Sequence, residues 1–230
     1  MSAKGGDDLR IETKFIGAEP ELPDVLGWIH MHPALFRSPY PDRWVHNLYF
    51  DTWDCQTFAA NVSGESQRTK LRYRWYGESP GPDRGAFELK RRHNGVGWKL
   101  RHAVERAPWN AGGSWRAVRS ALAAQLPAQA REWLRAFPLP TLLNCYRRRY
   151  FVSRDGSVRL TVDWKLRAWD QRYQAAPSFT RRANLPPCVV LEGKCGVEHR
   201  AALVRVLHGV PMRVSRNSKY VSGLRVASEA

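Results

Sequence analysis

The chain reads as an α+β domain built mainly from antiparallel strands. Three observations carry that reading. Short runs alternate apolar and charged residues at the two-residue period of a strand. Turn signals, among them Glu78 to Gly85 and the hairpin signal Asn94-Gly95, separate neighbouring runs at spacings that suit antiparallel pairing. A block from Ser114 to Phe137 is helical instead: Trp115, Val118, Leu122 and Leu126 form one packing stripe, Ser114 suits an N-cap, and Pro127 interrupts the run.

Taken in order, the first strand is Arg10-Ile11-Glu12-Thr13-Lys14-Phe15, with Arg10, Glu12 and Lys14 on one face. Glu21 to Met31 is a short helix, with Pro23 in its first turn and Val25, Leu26 and Ile29 at helical spacing. His30 and His32, beside Pro33, suit surface or cap roles better than metal binding. Trp44 to Phe50 is a strand, Asp51-Thr52 starts a turn, and polar residues from Asn61 to Thr69 form a loop. The next strand, Lys70 to Tyr76, places Lys70, Arg72 and Arg74 on one face and Leu71, Tyr73 and Trp75 on the other. Ala86, Glu88 and Lys90 share a face of the following strand, and Trp98 to Arg101 is its return partner.

After the helical block, Leu142 to Val152 returns to strand, with Tyr146, Arg148 and Tyr150 on one face; Arg147 and Arg149 point away. Asp155-Gly156 turns the chain into Val158 to Trp164, where Arg159, Thr161 and Asp163 oppose Leu160 and Val162. Arg167 to Tyr173 is a further strand, and Gln174 to Pro187 a proline-containing loop. Cys188 to Cys195 is a strand with Glu192 and Lys194 on one face, and Val197 to His208 a helix closed by Gly209.

The totals bound the function. At 230 residues the chain fits a single domain, residues 1–230, with a core from about 10 to 223. Thirty-seven Lys and Arg against 21 Asp and Glu give a formal charge of +16, which suits nucleic acid, an anionic membrane, or a phosphate-rich small molecule or polymer. Cys55, Cys145, Cys188 and Cys195 show no CxxC spacing, so reduced thiols of a cytoplasmic protein are expected rather than a zinc site. Met1 to Asp8 is polar and does not read as a signal peptide. No run approaches the ~20 apolar residues of a membrane helix.

Five strands therefore carry an apolar face opposite a charged one. The cations are Lys14, Arg72, Arg74, Lys90, Arg159 and Lys194; the acids are Glu12, Glu88, Asp163 and Glu192. A sandwich would turn these faces to water. A closed barrel of eight or nine strands would line its lumen with them and place the apolar faces outside, under the helices. An unpaired charge in a dry interior costs several kcal/mol, so such a lumen must be wet or filled by counter-charge. A phosphate chain with a divalent metal supplies it: Arg and Lys suit phosphate oxygens, and carboxylates suit Mg²⁺ or Mn²⁺.

At this point the residues resemble a known family. Arg10-x-Glu12-x-Lys14, Leu48-Tyr49-Phe50-Asp51, Lys70-Leu-Arg72-x-Arg74-Trp75-Tyr76-Gly77, Glu88-Leu-Lys90-Arg91, Tyr146-x-Arg148-x-Tyr150, Arg159-Leu-Thr161-Val-Asp163, Leu191-Glu192-x-Lys194 and Ser218-Lys219-Tyr220 occur in the order seen in VTC domains. These are the polyphosphate polymerase branch of the triphosphate tunnel metalloenzymes. The resemblance runs from about Arg10 to Gly223 and implies an α+β fold around an eight- to nine-stranded antiparallel closed β-barrel with a charged lumen. It also implies ATP-dependent polyphosphate synthesis with Mn²⁺ or Mg²⁺. By that resemblance Lys14, Arg72, Arg74, Lys90, Arg148, Arg159, Lys194 and Lys219 bind phosphate, with Arg72, Arg74, Lys90 and Arg159 holding the triphosphate of ATP. Glu192 looks like the metal-holding carboxylate, and Glu12 matches the second acid of the wider superfamily's ExExK signature, where Arg10 replaces the first. At this length, the N-terminal SPX domain and membrane segments of eukaryotic relatives are not expected. ATP, inorganic polyphosphate, and pyrophosphate or tripolyphosphate are the expected ligands. A triphosphate hydrolase of the same tunnel fold is the nearer alternative. A non-catalytic polyphosphate or nucleic-acid binder is the farther one, because no RNP motif, zinc finger or basic recognition helix is present.

Overall fold

The computed structural model describes residues 10–78, 81, 83–94, 96–109 and 113–228. The polar stretch Met1 to Asp8, residues Ser79, Pro80 and Pro82 of the Glu78–Gly85 turn, and Gly95 of the hairpin signal lie outside the described residues. The strands are β1 (Arg10–Ala18), β2 (Arg43–Asp51), β3 (Arg68–Tyr76), β4 (Gly85–His93), β5 (Val96–Val104), β6 (Leu139–Val152), β7 (Val158–Asp170), β8 (Cys188–Gly196) and the short β9 (Arg213–Val214). The helices are α1 (Leu22–His30), α2 (Gln56–Ser63), α3 (Trp115–Ala123), α4 (Ala128–Ala136), α5 (Arg200–Val206) and α6 (Lys219–Ser228).

All strand pairings are antiparallel and run β5-β4-β3-β2-β6-β7-β8-β1. The wall closes where Arg10 of β1 meets Gly97 of β5. Further along, the same edge of β1 pairs with β9, Phe15 opposite Val214, so β9 stands outside the eight-stranded barrel. The barrel is therefore the closed alternative, and the sandwich is excluded.

The period-2 pattern explains why. Directly opposite residues share a face, and Lys14–Glu192, Arg72–Glu88 and Arg148–Asp163 are such pairs. Their apolar neighbours point outward, and two helical layers cover them. α3 and α4 lay Trp115, Val118, Leu122 and Trp133 on Leu71, Tyr73, Trp75 and Phe87. α1 and α5 lay Val25, Ile29, Leu203 and Val206 on Phe15, Leu160, Val162 and Leu191. Burying a Leu or Phe side chain is worth ~1.5–3 kcal/mol, so the main apolar core lies outside the barrel wall.

α6 does something different. Tyr49 lies opposite both Arg72 and Leu142, so it faces the lumen. Tyr220 and Leu224 of α6 pack with Tyr49, Leu142 and Ala168, which seats this helix against the inner wall at one end of the barrel. Gly223 permits the close approach: a Cβ there would lie 2.7 Å from Leu142 Cδ2 and 3.2 Å from Ala168 Cβ.

Several expectations change. The loop expected from Asn61 begins as α2, whose backbone N–H groups at Thr57 and Phe58 donate to the Asp51 carboxylate at 2.9 and 3.0 Å. Asp51 is accordingly a buried strand residue that caps α2, not the first residue of a turn. The two strands expected at Val158–Trp164 and Arg167–Tyr173 are one, β7, which absorbs a register shift opposite Cys145–Arg147 and a positive φ of 54° at Lys165. The helix expected from Val197 opens as a 3-10 turn before α5. The N-cap expectation holds, with Ser114 Oγ accepting from the Ala117 N–H at 3.3 Å.

Candidate functional site

A cavity of about 740 Å³ occupies the lumen, lined by inner-face residues of the barrel and by the start of α6. Lys14, Lys70, Arg72, Arg74, Lys90, Arg148, Lys194 and Lys219 line it. The inner-face carboxylates beside them are Glu12, Glu88, Asp163 and Glu192, so positive charge is in excess.

The carboxylates are held by these cations. Lys14 Nζ sits 2.9 Å from Glu12 Oε1 and 3.0 Å from Glu192 Oε1. Lys90 Nζ donates to Glu12 Oε2 at 2.9 Å, and Lys194 Nζ to Glu192 Oε2 at 2.5 Å. Burial pushes both carboxyls up, but Lys14 and the neighbouring lysines outweigh it and leave them well below the usual range. Deeper in, Asp163 is almost fully buried and accepts from Arg148 Nε and Nη2 at 2.5 and 2.6 Å, with Lys219 Nζ at 2.6 Å. Arg72 donates twice to Glu88 Oε2, at 2.9 and 2.7 Å.

Among the described residues, Arg74 and Lys70 hydrogen-bond to neutral partners. Arg74 donates to Asn47 Oδ1 at 2.8 Å and the Tyr146 hydroxyl at 3.2 Å. Lys70 donates to Ser218 Oγ at 2.8 Å. Burial, with repulsion from Lys14, Lys90 and Arg72, pushes the Lys70 ammonium well below its ordinary value. Burial likewise brings Lys90 down to about 8, with Lys14 and Lys194 adding to the effect and Glu12 opposing it. Cations held below their usual pKa by other cations are groups that an anionic ligand would relieve.

The structure thus gathers Lys14, Arg72, Arg74, Lys90, Arg148, Lys194 and Lys219 in one lumen, with Glu12 and Glu192 among them. Arg159 stands apart: it is exposed, opposite Lys194 in register, and does not line the cavity. Asp163 and Glu88 hold arginines. Sequence reasoning passed over Lys99 and Arg101, which lie 3.6 and 3.8 Å from Glu88 Oε1. Their alternation on the return strand was the available signal. It also did not assign Lys70 or Asn47, because their contacts come from Ser218 and Arg74, far away in the chain.

Among the described residues no group of three or more His, Cys, Asp or Glu is placed to hold a metal. Glu12 and Glu192, both on Lys14, nevertheless fit a Mg²⁺ or Mn²⁺ that takes one or two carboxylates from the protein and its remaining oxygens from phosphate and water. The residues therefore fit a cation that arrives with a phosphate ligand.

The VTC domain family model matches residues 9–228, nearly the whole chain. The chain belongs to the VTC domain family. Among solved structures, this VTC domain is similar to the PH1819 protein from Pyrococcus horikoshii OT3, with TM-score 0.50 and 11% identity over 93% of this chain and 96% of that one. That likeness is one of fold. The Schizosaccharomyces pombe Mediator head module also matches, with TM-score 0.47 and 9% identity over 90% of this VTC domain and 97% of the matched chain, too weak a likeness to argue from. No curated protein matches the sequence. Among the described residues of this VTC domain, no helix is long and apolar enough to cross a membrane.

Proposed function

We propose that this VTC domain is an ATP-dependent polyphosphate polymerase, a phosphotransferase that extends a phosphate chain inside the lumen. The observation that carries the reading is the excess of cations over carboxylates in one enclosed cavity. Arg72, Arg74 and Lys90 hold the triphosphate of ATP, with Lys14, Arg148, Lys194 and Lys219 completing the cradle; Arg159 acts from outside the cavity, on phosphates that leave it. A terminal oxygen of the growing chain forms a bond to the γ-phosphorus, the bond from that phosphorus to the β–γ bridging oxygen breaks, and ADP leaves with the electron pair. The attacking oxygen is already anionic at neutral pH, so positioning and charge neutralisation supply the catalysis and no protein base is needed. Glu192, with Glu12, is the holder of Mn²⁺ or Mg²⁺, which when bound would neutralise charge on the phosphoryl oxygens. The four free cysteines suit the reducing cytoplasm.

The test is incubation of the purified protein with ATP and Mn²⁺, with products resolved on a polyphosphate gel. Chains longer than tripolyphosphate together with ADP are expected. Release of phosphate without chains would make the protein a hydrolase, and binding without turnover would make it a polyphosphate binder.

A further inference from the structure

The row Arg68, Lys70, Arg72, Arg74 follows the inner face of β3 at every second residue, about 20 Å end to end at ~3.3 Å per residue. Three linked phosphates span a fraction of that row. Arg74, Arg72 and Lys70 have partners in the lumen, but Arg68 continues the row outward. Arg68 lies opposite Arg92 in register, so the two guanidiniums share a face. Arg216, from the segment between β9 and α6, lines the same cavity and reaches the end of α2, where a Cβ on Gly64 would sit 3.8 Å from its Nη1. Among the described residues, none of these three side chains makes a hydrogen bond or ion pair. Glu65 also lines the cavity and accepts from the Ser63 hydroxyl at 3.1 Å. Burial together with Arg92 and Arg216 pushes Arg68 below its ordinary value, as expected of cations gathered without a counter-ion.

We infer that Arg68, Arg92 and Arg216 form a chain-length subsite at the mouth of the lumen, which binds the phosphates of a linear polyphosphate beyond the three that the inner lysines and arginines hold. The inference rests on the lumen being a phosphate site, as proposed above. It deepens that reading by assigning the ligand as a long linear chain and the mouth as the part that tells it from tripolyphosphate. Guanidiniums suit this task because each offers two parallel N–H donors to phosphate oxygens in any rotation of a flexible chain.

The experiment measures binding to the intact protein by calorimetry, without ATP, for tripolyphosphate and for a long-chain linear polyphosphate. The test variant carries Arg68→Gln, Arg92→Gln and Arg216→Gln. The control carries Arg154→Gln, Arg200→Gln and Arg205→Gln, which removes the same charge from exposed positions elsewhere. The test variant should bind tripolyphosphate within about twofold of the parent, which also reports that it is folded. It should lose at least about tenfold in affinity for the long chain, with a shallower dependence of log K on log salt. The control should keep both affinities within about twofold. An unchanged long-chain affinity in the test variant, an equal loss for both ligands, or an equal loss in the control overturns the inference. If neither ligand binds the parent protein, the phosphate reading of the lumen fails first; absence of turnover alone leaves the comparison intact.

Discussion

Replacing Asp163 by asparagine tests whether the lumen is held together by its own counter-charges. Asp163 is 1% exposed and faces Arg148 and Lys219, which are themselves buried. Burial pushes its carboxyl up, but Arg148 and Lys219 outweigh that and hold it below its ordinary value, so it is ionised at neutral pH. The Asp163→Asn change would keep the shape and remove the charge, leaving two buried cations with a neutral partner there and Glu192, 3.8 Å from Arg148, as the remaining carboxylate beside them. Breaking a buried pair in this way costs about 3–5 kcal/mol. For 230 residues the entropy of unfolding near Tm is about 0.5 kcal/mol/K, so Tm should fall by about 6–10 °C. Thermal unfolding by circular dichroism in phosphate-free buffer reads this directly. Added tripolyphosphate should raise Tm more in the variant than in the parent, because an anion then replaces the missing carboxylate. The parent should show the same loss in acid: the depressed carboxyl contributes stability above its unfolded pKa of ~3.9 and loses it as pH falls through the folded value. A Tm drop below about 2 °C, which on the same scale corresponds to ~1 kcal/mol, would refute the idea that Arg148 and Lys219 depend on this carboxylate.

Lys90 titrates near 8 in the free lumen, so tripolyphosphate affinity should fall by up to about tenfold as pH rises from 7 to 9, with proton uptake on binding seen by calorimetry in two buffers; Lys90→Arg should flatten the profile. Glu192→Gln should abolish Mn²⁺-dependent turnover yet strengthen metal-free tripolyphosphate binding severalfold, since it removes a repelling charge; binding titrations with and without Mn²⁺ check this, and weaker metal-free binding would leave Glu192 as a structural partner of Lys14 and Lys194. Gly223→Val should cost about 1–3 kcal/mol, seen as a lower Tm, and weaken tripolyphosphate binding as α6 shifts and Lys219 with it.

The alternation of β1, β3, β4 and β8 was legible because charge on one face and apolar bulk on the other both obey a two-residue period. Closure was not legible from that period, since a sandwich shows the same alternation; the ordered family motifs supplied it. The partners within the site needed register, and register here includes a shift between Cys145 and Arg147 that no local pattern announces. α2 has modest propensity, and Asp51 caps it from several positions upstream. α6 contains Gly223 and the β-branched Val221 and Val226, all unfavourable in an isolated helix, and is held by its seat on Tyr49, Leu142 and Ala168. Arg159 obeys the inward alternation, yet it sits near the start of β7, which leaves it exposed at the rim.

The wall is not equally strong around its girth. β1 is stitched to β8 by nine registered residue pairs but to β5, among the described residues, by a single one at Arg10 and Gly97. Among the described residues few backbone bonds oppose parting along that line, and amide exchange should begin there before it reaches the other seams. On the proposed polymerase reading, a parting of that seam would give a long polymer a sideways way in, with no need to be threaded from a free end.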